Sequence, residues 1–269
     1  MTLSYWNSQF QFTKLLPDFQ DCLTRMTARS DALWLDLRTI SYGPDARQVI
    51  EMMGTPDAGT VLPVFIHGGY WRALTASVHR YVLPRLAGQA GAVANLEYRL
   101  LPDVTLAEII EDALTGLSLI AAQTGCRLVV VGHSAGGHLA IMSALRLPDI
   151  VVGAVGVSGI YDLTPLQWSF LREEVGLEAH DLVGHSPQEN WNTPDASHVL
   201  LAIGDAETPE FHRQAQQFAT THGARVITVP DCHHMTVLDV LADPKSGLSH
   251  EIQTFIQSTN IGRSSTSGS

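Results

Sequence analysis

The sequence predicts one α/β domain over residues 1–261, built on a mostly parallel, doubly wound sheet of about eight strands. Three observations predict it. Six short apolar or β-branched runs are continuous rather than alternating, as expected of strands covered on both faces. Amphipathic helical spacing separates them, giving the β–α alternation of a parallel sheet. Finally, Gly132-His133-Ser134-Ala135-Gly136 joins the apolar run Arg127–Val131 to the helix-like run His138–Leu147, a strand-to-helix junction.

The first strand is expected within Thr39–Met53, with a bend at Gly43-Pro44. Val61–Ile66 and Ala92–Leu96 come next. Leu106, Ile109, Ile110, Ala113, Leu117 and Ile120 recur at helical spacing and share one face. Thr105 and Glu108 make a capping box ahead of that helix, and Gly125 stops it. Leu128–Val131 and Ile150–Val157 flank the glycine–serine motif and its helix. Tyr161–Trp191 shows no strand pattern and reads as an insertion over the strand ends, a lid or cap. Val199–Ile203 resumes the sheet. A helix opening at Thr208-Pro209 then puts Phe211, Ala215, Phe218 and Ala219 on one side. Arg225–Val229 is the last strand, and residues 262–269 form a low-complexity tail.

Composition narrows the function classes. The 269 residues are 45% hydrophobic and 16% charged, enough apolar material for a substantial core. A formal charge of −11 without any Lys/Arg cluster argues against nucleic acid. Three cysteines, Cys22, Cys126 and Cys232, make no disulfide framework and fit a reducing compartment. The N-terminus lacks a basic segment followed by an apolar one, and no apolar run approaches the roughly 18 residues of a membrane helix. The expectation is a soluble, cytoplasmic protein.

Open α/β sheets bind ligands beyond the carboxyl ends of their strands, so the residues that follow each strand matter most. Ser134, flanked by small residues at its junction, fits a sharp turn that lifts its hydroxyl clear of the sheet, and it is the candidate nucleophile. After Val61–Ile66 come His67-Gly68-Gly69-Tyr70-Trp71, where paired glycines turn backbone N–H groups towards a developing oxyanion. The second donor would be the N–H of Ala135. After the last strand, Asp231-Cys232-His233-His234-Met235 offers two candidate bases. The acid falls in Gly204-Asp205-Ala206-Glu207. Spacing after the glycine selects Glu207, whereas the commoner use of aspartate favours Asp205; Glu207 is the preferred reading. Nucleophile, acid, base is the chain order of an α/β-hydrolase. The His-His pair lacks a third ligand at metal-site spacing, so no metal is expected. Cys232 reads as an inert small hydrophobe and Arg99 as one half of a structural ion pair.

At this point a family resemblance is specific. His67-Gly68-Gly69-Tyr70-Trp71 resembles the HGGxW signature of the kynurenine formamidases (arylformamidases) of the α/β-hydrolase superfamily. Tyr98–Pro102, the GHSAGG-like run Gly132–Gly137 and Ser158-Gly159-Ile160-Tyr161-Asp162-Leu163 are similar to further family segments, in order. Glu207-Thr208-Pro209-Glu210-Phe211-His212-Arg213-Gln214 resembles the family's DSPEFxRQS segment, whose leading aspartate is the catalytic acid. His234-Met235 stands where the family has His-Phe. The likeness covers about residues 40–245, with Glu207 in place of Asp and Met235 in place of Phe. The metal-dependent kynurenine formamidases use an unrelated HxGTHxD-type motif, which is not found here.

The resemblance implies the α/β-hydrolase fold and a catalytic Ser134, Glu207 and His234, with His233 in reserve. It implies an oxyanion hole from Gly68, Gly69, Tyr70 and Ala135, and no cofactor. Its substrate is N-formylkynurenine, cleaved to kynurenine and formate. Tyr70, Trp71, Tyr161 and Trp168 are the aromatics expected to line a leaving-group pocket, with Trp71, Tyr161 and Trp168 taken as substrate-binding. A short-chain carboxylesterase or thioesterase with the same triad is the alternative, and a non-catalytic binding protein on this scaffold is the third reading. The expected partner is a small-molecule substrate, without nucleic acid or membrane, and a homodimer is compatible with the sequence.

Overall fold

The computed structural model describes residues 2–175, 179–192 and 196–261, so the expected tail at 262–269 lies outside the described residues. At its centre is one eight-stranded sheet. Its strands are β1 (Leu37–Ser41), β2 (Val49–Met53), β3 (Val61–Ile66), β4 (Val93–Leu96), β5 (Arg127–His133), β6 (Val151–Val157), β7 (Val199–Gly204) and β8 (Arg225–Val229). They lie in the order β1-β2-β4-β3-β5-β6-β7-β8. β2 is antiparallel to both β1 and β4, and every other neighbouring pair is parallel. With helices on both faces, this is the α/β-hydrolase fold.

β3 and β8 coincide with the runs read from the sequence. The expectation of a single bent strand across Thr39–Met53 is corrected: Gly43-Pro44 reverses the chain instead of bending it. Tyr42 N–H donates to Gln48 O at 2.9 Å and closes a hairpin between β1 and β2. Glycine and proline together disfavour continued ladder pairing, so a turn is the lower-energy outcome.

The continuous apolar runs are explained by two cores. In β3, Leu62, Val64 and Ile66 enter one cluster, while Val61 and Phe65 enter the other. The first core is covered by α5 (Leu106–Thr124), α6 (Ala135–Arg146) and α10 (Pro209–His222). The second lies under α3 (Phe19–Asp31), α4 (Leu83–Ala87), α11 (Val237–Ala242) and α12 (Gly247–Ile261). α5 begins with the expected Thr105–Glu108 capping box and ends at Gly125 in the left-handed region, φ 68°.

Two segments cover the carboxyl ends of the strands. One is the insertion, with a 3-10 helix at Thr164–Trp168 followed by α7 (Leu171–Val175), α8 (Ala179–Gly184) and α9 (Pro187–Asn190), and no strand among its described residues. The other is an N-terminal strap, α1 (Leu3–Phe10) and α2 (Phe12–Leu15), which leads into α3 and which the sequence reading does not assign. Among the described residues, no helix is long and apolar enough to cross a membrane.

Candidate active site

β5 delivers the chain into Ser134, and α6 carries it away. Between them Ser134 adopts φ 55°, ψ −119°, a conformation that costs about 1–3 kcal/mol for a residue with a side chain. Ser134 N–H donates to Val157 O at 2.9 Å, which ties the elbow to β6. The turn is too tight for a side chain at Gly136, where a Cβ would stand 2.1 Å from Ile66 O.

The candidate base and acid arrive from the loops after β8 and β7. His234 Nε2 lies 3.0 Å from Ser134 Oγ, and His234 Nδ1 lies 3.1 and 3.2 Å from the two Glu207 carboxylate oxygens. All three residues are buried. Of the two acids left open by the sequence, Glu207 is thus the one that meets His234; Asp205 is exposed and accepts the Cys232 N–H at 3.4 Å. Of the two histidines, His233 faces away from Ser134. Its Nδ1 accepts the Met235 N–H at 3.2 Å and its Nε2 meets Asp18 Oδ1 at 3.3 Å.

Two phenylalanines hold the His234 ring. Phe12 from the strap stacks on it face to face, 3.9 Å between centroids and 13° between planes. Phe211 from α10 meets it edge-on at 4.9 Å. A ring trapped between two others keeps one rotamer, which is what a base needs to face its serine.

The His67–Trp71 loop is anchored from below. His67 Nδ1 faces Gly68 O at 2.7 Å and its Nε2 faces Glu97 Oε1 at 3.0 Å. Glu97 also accepts from the Arg47 guanidinium and from the Ala76 N–H at 2.8 Å. Burial pushes the Glu97 carboxyl up, but these His67, Ala76 and Arg47 contacts outweigh it and leave the group below its ordinary range. Gly69, at φ 112°, has Ala73 O only 2.1 Å from where a Cβ would be. Gly68 lies against Ser134, and a Cβ there would sit 3.0 Å from the serine Cβ. Gly68 thus packs against Ser134, with Gly69 and Tyr70 next in the loop, and Ala135 follows Ser134 at the start of α6.

A cavity of about 220 Å³ opens onto Ser134 and His234. Its walls are aromatic and aliphatic: Phe10, Phe12, Phe19 and Leu23 from the N-terminal helices, with Tyr70 and Phe170 opposite. Of the expected aromatics Tyr70 lines it, whereas Trp71, Tyr161 and Trp168 do not. Trp71 is fully buried and packs edge-on against His138 at 5.1 Å. Tyr70 and Trp71 both hold positive φ, 50° and 59°, and this local reversal brings Tyr70 to the cavity while Trp71 packs in the core. Tyr161 is buried against Phe218, with its hydroxyl donating to Gly156 O at 3.2 Å. Trp168 is half-exposed and stacks on Trp6 at 5.8 Å, beside a separate surface groove.

The family-like segment after Glu207 has a structural use. Gln214 Oε1 accepts the Tyr161 and Asp162 N–H groups, and Arg213 bonds Asp162 and Glu210. It therefore pins the start of the insertion to α10. Arg99 makes the expected structural pair, with two hydrogen bonds to Asp112 at 2.7 and 2.8 Å.

Among the described residues, one cluster has metal-ligand composition, Asp18, Cys22 and His233. It does not fit a metal: the Met235 N–H occupies the lone pair of His233 Nδ1, leaving Nε2 as the protonated nitrogen, and Arg25 Nη2 donates to Cys22 Sγ at 3.1 Å. Burial pushes the Cys22 thiol up to about 11 and the Cys232 thiol up to about 12, so neither is a reactive thiolate near neutrality.

Comparison with known proteins agrees with this architecture. An α/β-hydrolase-fold family model matches residues 63–186. A kynurenine formamidase of Salmo salar is 24% identical over 262 residues, covering 89% of this chain and 88% of its own. One from Drosophila melanogaster is 28% identical over 202 residues, covering 67% and 66%. A solved structure of a proposed thioesterase from a Silicibacter species superposes with a TM-score of 0.80 at 28% identity, covering 94% of this chain and 98% of its own. The chain is an arylformamidase-like α/β-hydrolase, and an enzyme.

Proposed function

We propose that this hydrolase removes a formyl group from an aryl amine, with N-formylkynurenine as the expected substrate, through a Ser134–His234–Glu207 triad. The observation that carries the reading is the continuous hydrogen-bond chain from Ser134 Oγ through His234 to Glu207, set beside an aromatic-walled cavity. Ser134 Oγ attacks the formyl carbon while His234 takes the hydroxyl proton and Glu207 stabilises the imidazolium. The oxyanion is received by N–H groups of Gly69, Tyr70 and Ala135, and removal of one such donor typically costs about 3 kcal/mol of barrier. His234 then gives its proton to the departing amine nitrogen, the C–N bond breaks, and a formyl ester remains on Ser134. Water activated by His234 cleaves that ester to formate and restores the serine.

The likeness to kynurenine formamidases supports the substrate class. So does the cavity, because a formyl group needs little room beside Ser134 while Phe12, Tyr70 and Phe170 suit a flat aryl leaving group. The likeness to a proposed thioesterase favours a second reading, a short-chain ester or thioester hydrolase with the same triad. The ratio of kcat/KM for N-formylkynurenine to that for p-nitrophenyl acetate separates the two. A ratio well above one supports the formamidase; ester turnover without formate release from N-formylkynurenine removes it.

A further inference from the structure

The proposed chemistry leaves two buried imidazoles of the catalytic cavity unused. His79, on the 3-10 helix Ala76–Val82, and His133, next to the nucleophile, both line the cavity that holds Ser134. Each has one ring nitrogen committed. His79 Nδ1 lies 3.0 Å from Thr75 O, and His133 Nε2 lies 2.8 Å from His234 O. A carbonyl oxygen can only accept, so both of those nitrogens carry the proton. The remaining nitrogens, His79 Nε2 and His133 Nδ1, are therefore lone-pair acceptors, and both are buried without a hydrogen-bond partner.

We propose that His79 Nε2 and His133 Nδ1 form a paired acceptor site in the catalytic cavity, which takes an N–H or O–H donor on the aromatic leaving group. The assignment of an aryl leaving group rests on the function proposed above; the acceptor pair does not. Burial pushes His79 down to about 3 and holds His133 well below the ordinary histidine range, so both rings stay neutral across the neutral pH range. A neutral, tautomer-locked imidazole cannot donate to an ester oxygen or a carboxylate. It can only receive. Much of the remaining wall is apolar (Phe10, Phe12, Phe19, Leu23, Phe170), so a ligand without a donor at this point leaves both acceptors unpaired, and sites of that kind reject the donor-free analogue strongly. Aryl amines offer the needed N–H; alkyl esters and plain acyl chains do not. His133 also fixes the loop of His234 through its other nitrogen, which leaves His79 as the residue to vary.

The test compares aniline with toluene, which differ by an amino group in place of a methyl. Dissociation constants are measured by NMR titration of the full-length protein. Wild type is expected to bind aniline about tenfold more tightly than toluene. His79→Leu and His79→Phe, which remove the acceptor in two shapes, should bring the two ligands to within about twofold. His79→Gln, which returns a side-chain acceptor, should keep most of the preference. Equal binding of both ligands to wild type overturns the proposal without any variant, and so does an unchanged preference in a folded His79→Leu or His79→Phe. The binding readout is independent of turnover. An aniline preference that follows His79 in a protein releasing no formate from N-formylkynurenine leaves the acceptor pair standing and removes only the formamidase reading.

Discussion

The N-terminal strap and the 161–191 insertion both lie over the carboxyl ends of the strands, yet they do different things. The insertion sends Tyr161, Leu163, Leu166 and Leu171 into the core, and Phe170 is its contribution to the cavity wall. The strap carries no motif, but Phe10 and Phe12 wall the cavity, and Phe12 stacks on His234. It is held by distant partners. Tyr70 donates its hydroxyl to Phe10 O at 2.7 Å, Thr208 donates to Gln9 O at 2.9 Å, and Gln9 Oε1 accepts the Glu210 N–H at 3.0 Å. A segment's place in the chain therefore says little about its distance from the chemistry. What it touches says more.

The two segments can be set against each other by mutation, on a scale fixed by the proposed triad. Ser134→Ala should lower kcat at least about a thousandfold with Tm unchanged, because the hydroxyl holds nothing else in place. Retained turnover would move the nucleophile elsewhere. Next, Glu207→Gln should cost far more kcat than Asp205→Asn, and the opposite order, read from steady-state kinetics, would reassign the acid. The comparison itself turns on the third pair. Phe12→Leu should lower kcat about tenfold by freeing the His234 ring, whereas Trp168→Ala should leave kcat within about twofold. Equal losses would make the insertion as much a part of the site as the strap.

The smallest effect lies beneath both segments. Folding holds the Glu97 carboxyl below its ordinary value, so its contribution is complete above the unfolded-chain glutamate pKa of about 4.3 and fades as pH falls through the lower folded value. Glu97→Gln should lower Tm by about 5 °C at pH 7 and lose less than wild type on acidification from pH 5 to about 3. Parallel acid curves for the two proteins would assign the acid sensitivity to other groups.

The sequence was most informative where information is local. The six strand runs from Val61 onward, the α5 capping box and the Ser134 junction each depend on residues within a turn or two, and they stand within a residue or two of where the pattern puts them. The loops after the last two strands were legible as places for an acid and a base, while the preference for His234 over His233 came from the family resemblance. The cavity wall was not legible. Trp71 adjoins the glycine pair and so reads as a ligand contact, but two successive positive-φ residues separate neighbours in sequence into cavity and core. Phe12 could not be found from its surroundings: it is one apolar residue in a short amphipathic stretch, and its partner lies more than two hundred positions away. Only tertiary packing gives it a role.

Gln9 grips the chain at Thr208 and Glu210, immediately after Glu207. The strap consists of two short helices outside the sheet, tied down by a handful of long-range hydrogen bonds, the kind of unit that opens before a sheet does. In a urea titration, enzymatic turnover should therefore vanish at a lower concentration than the far-ultraviolet circular dichroism signal, and refolding from such mild conditions should restore it at once. The catalyst would fail by coming unlatched at its front end, long before it melts.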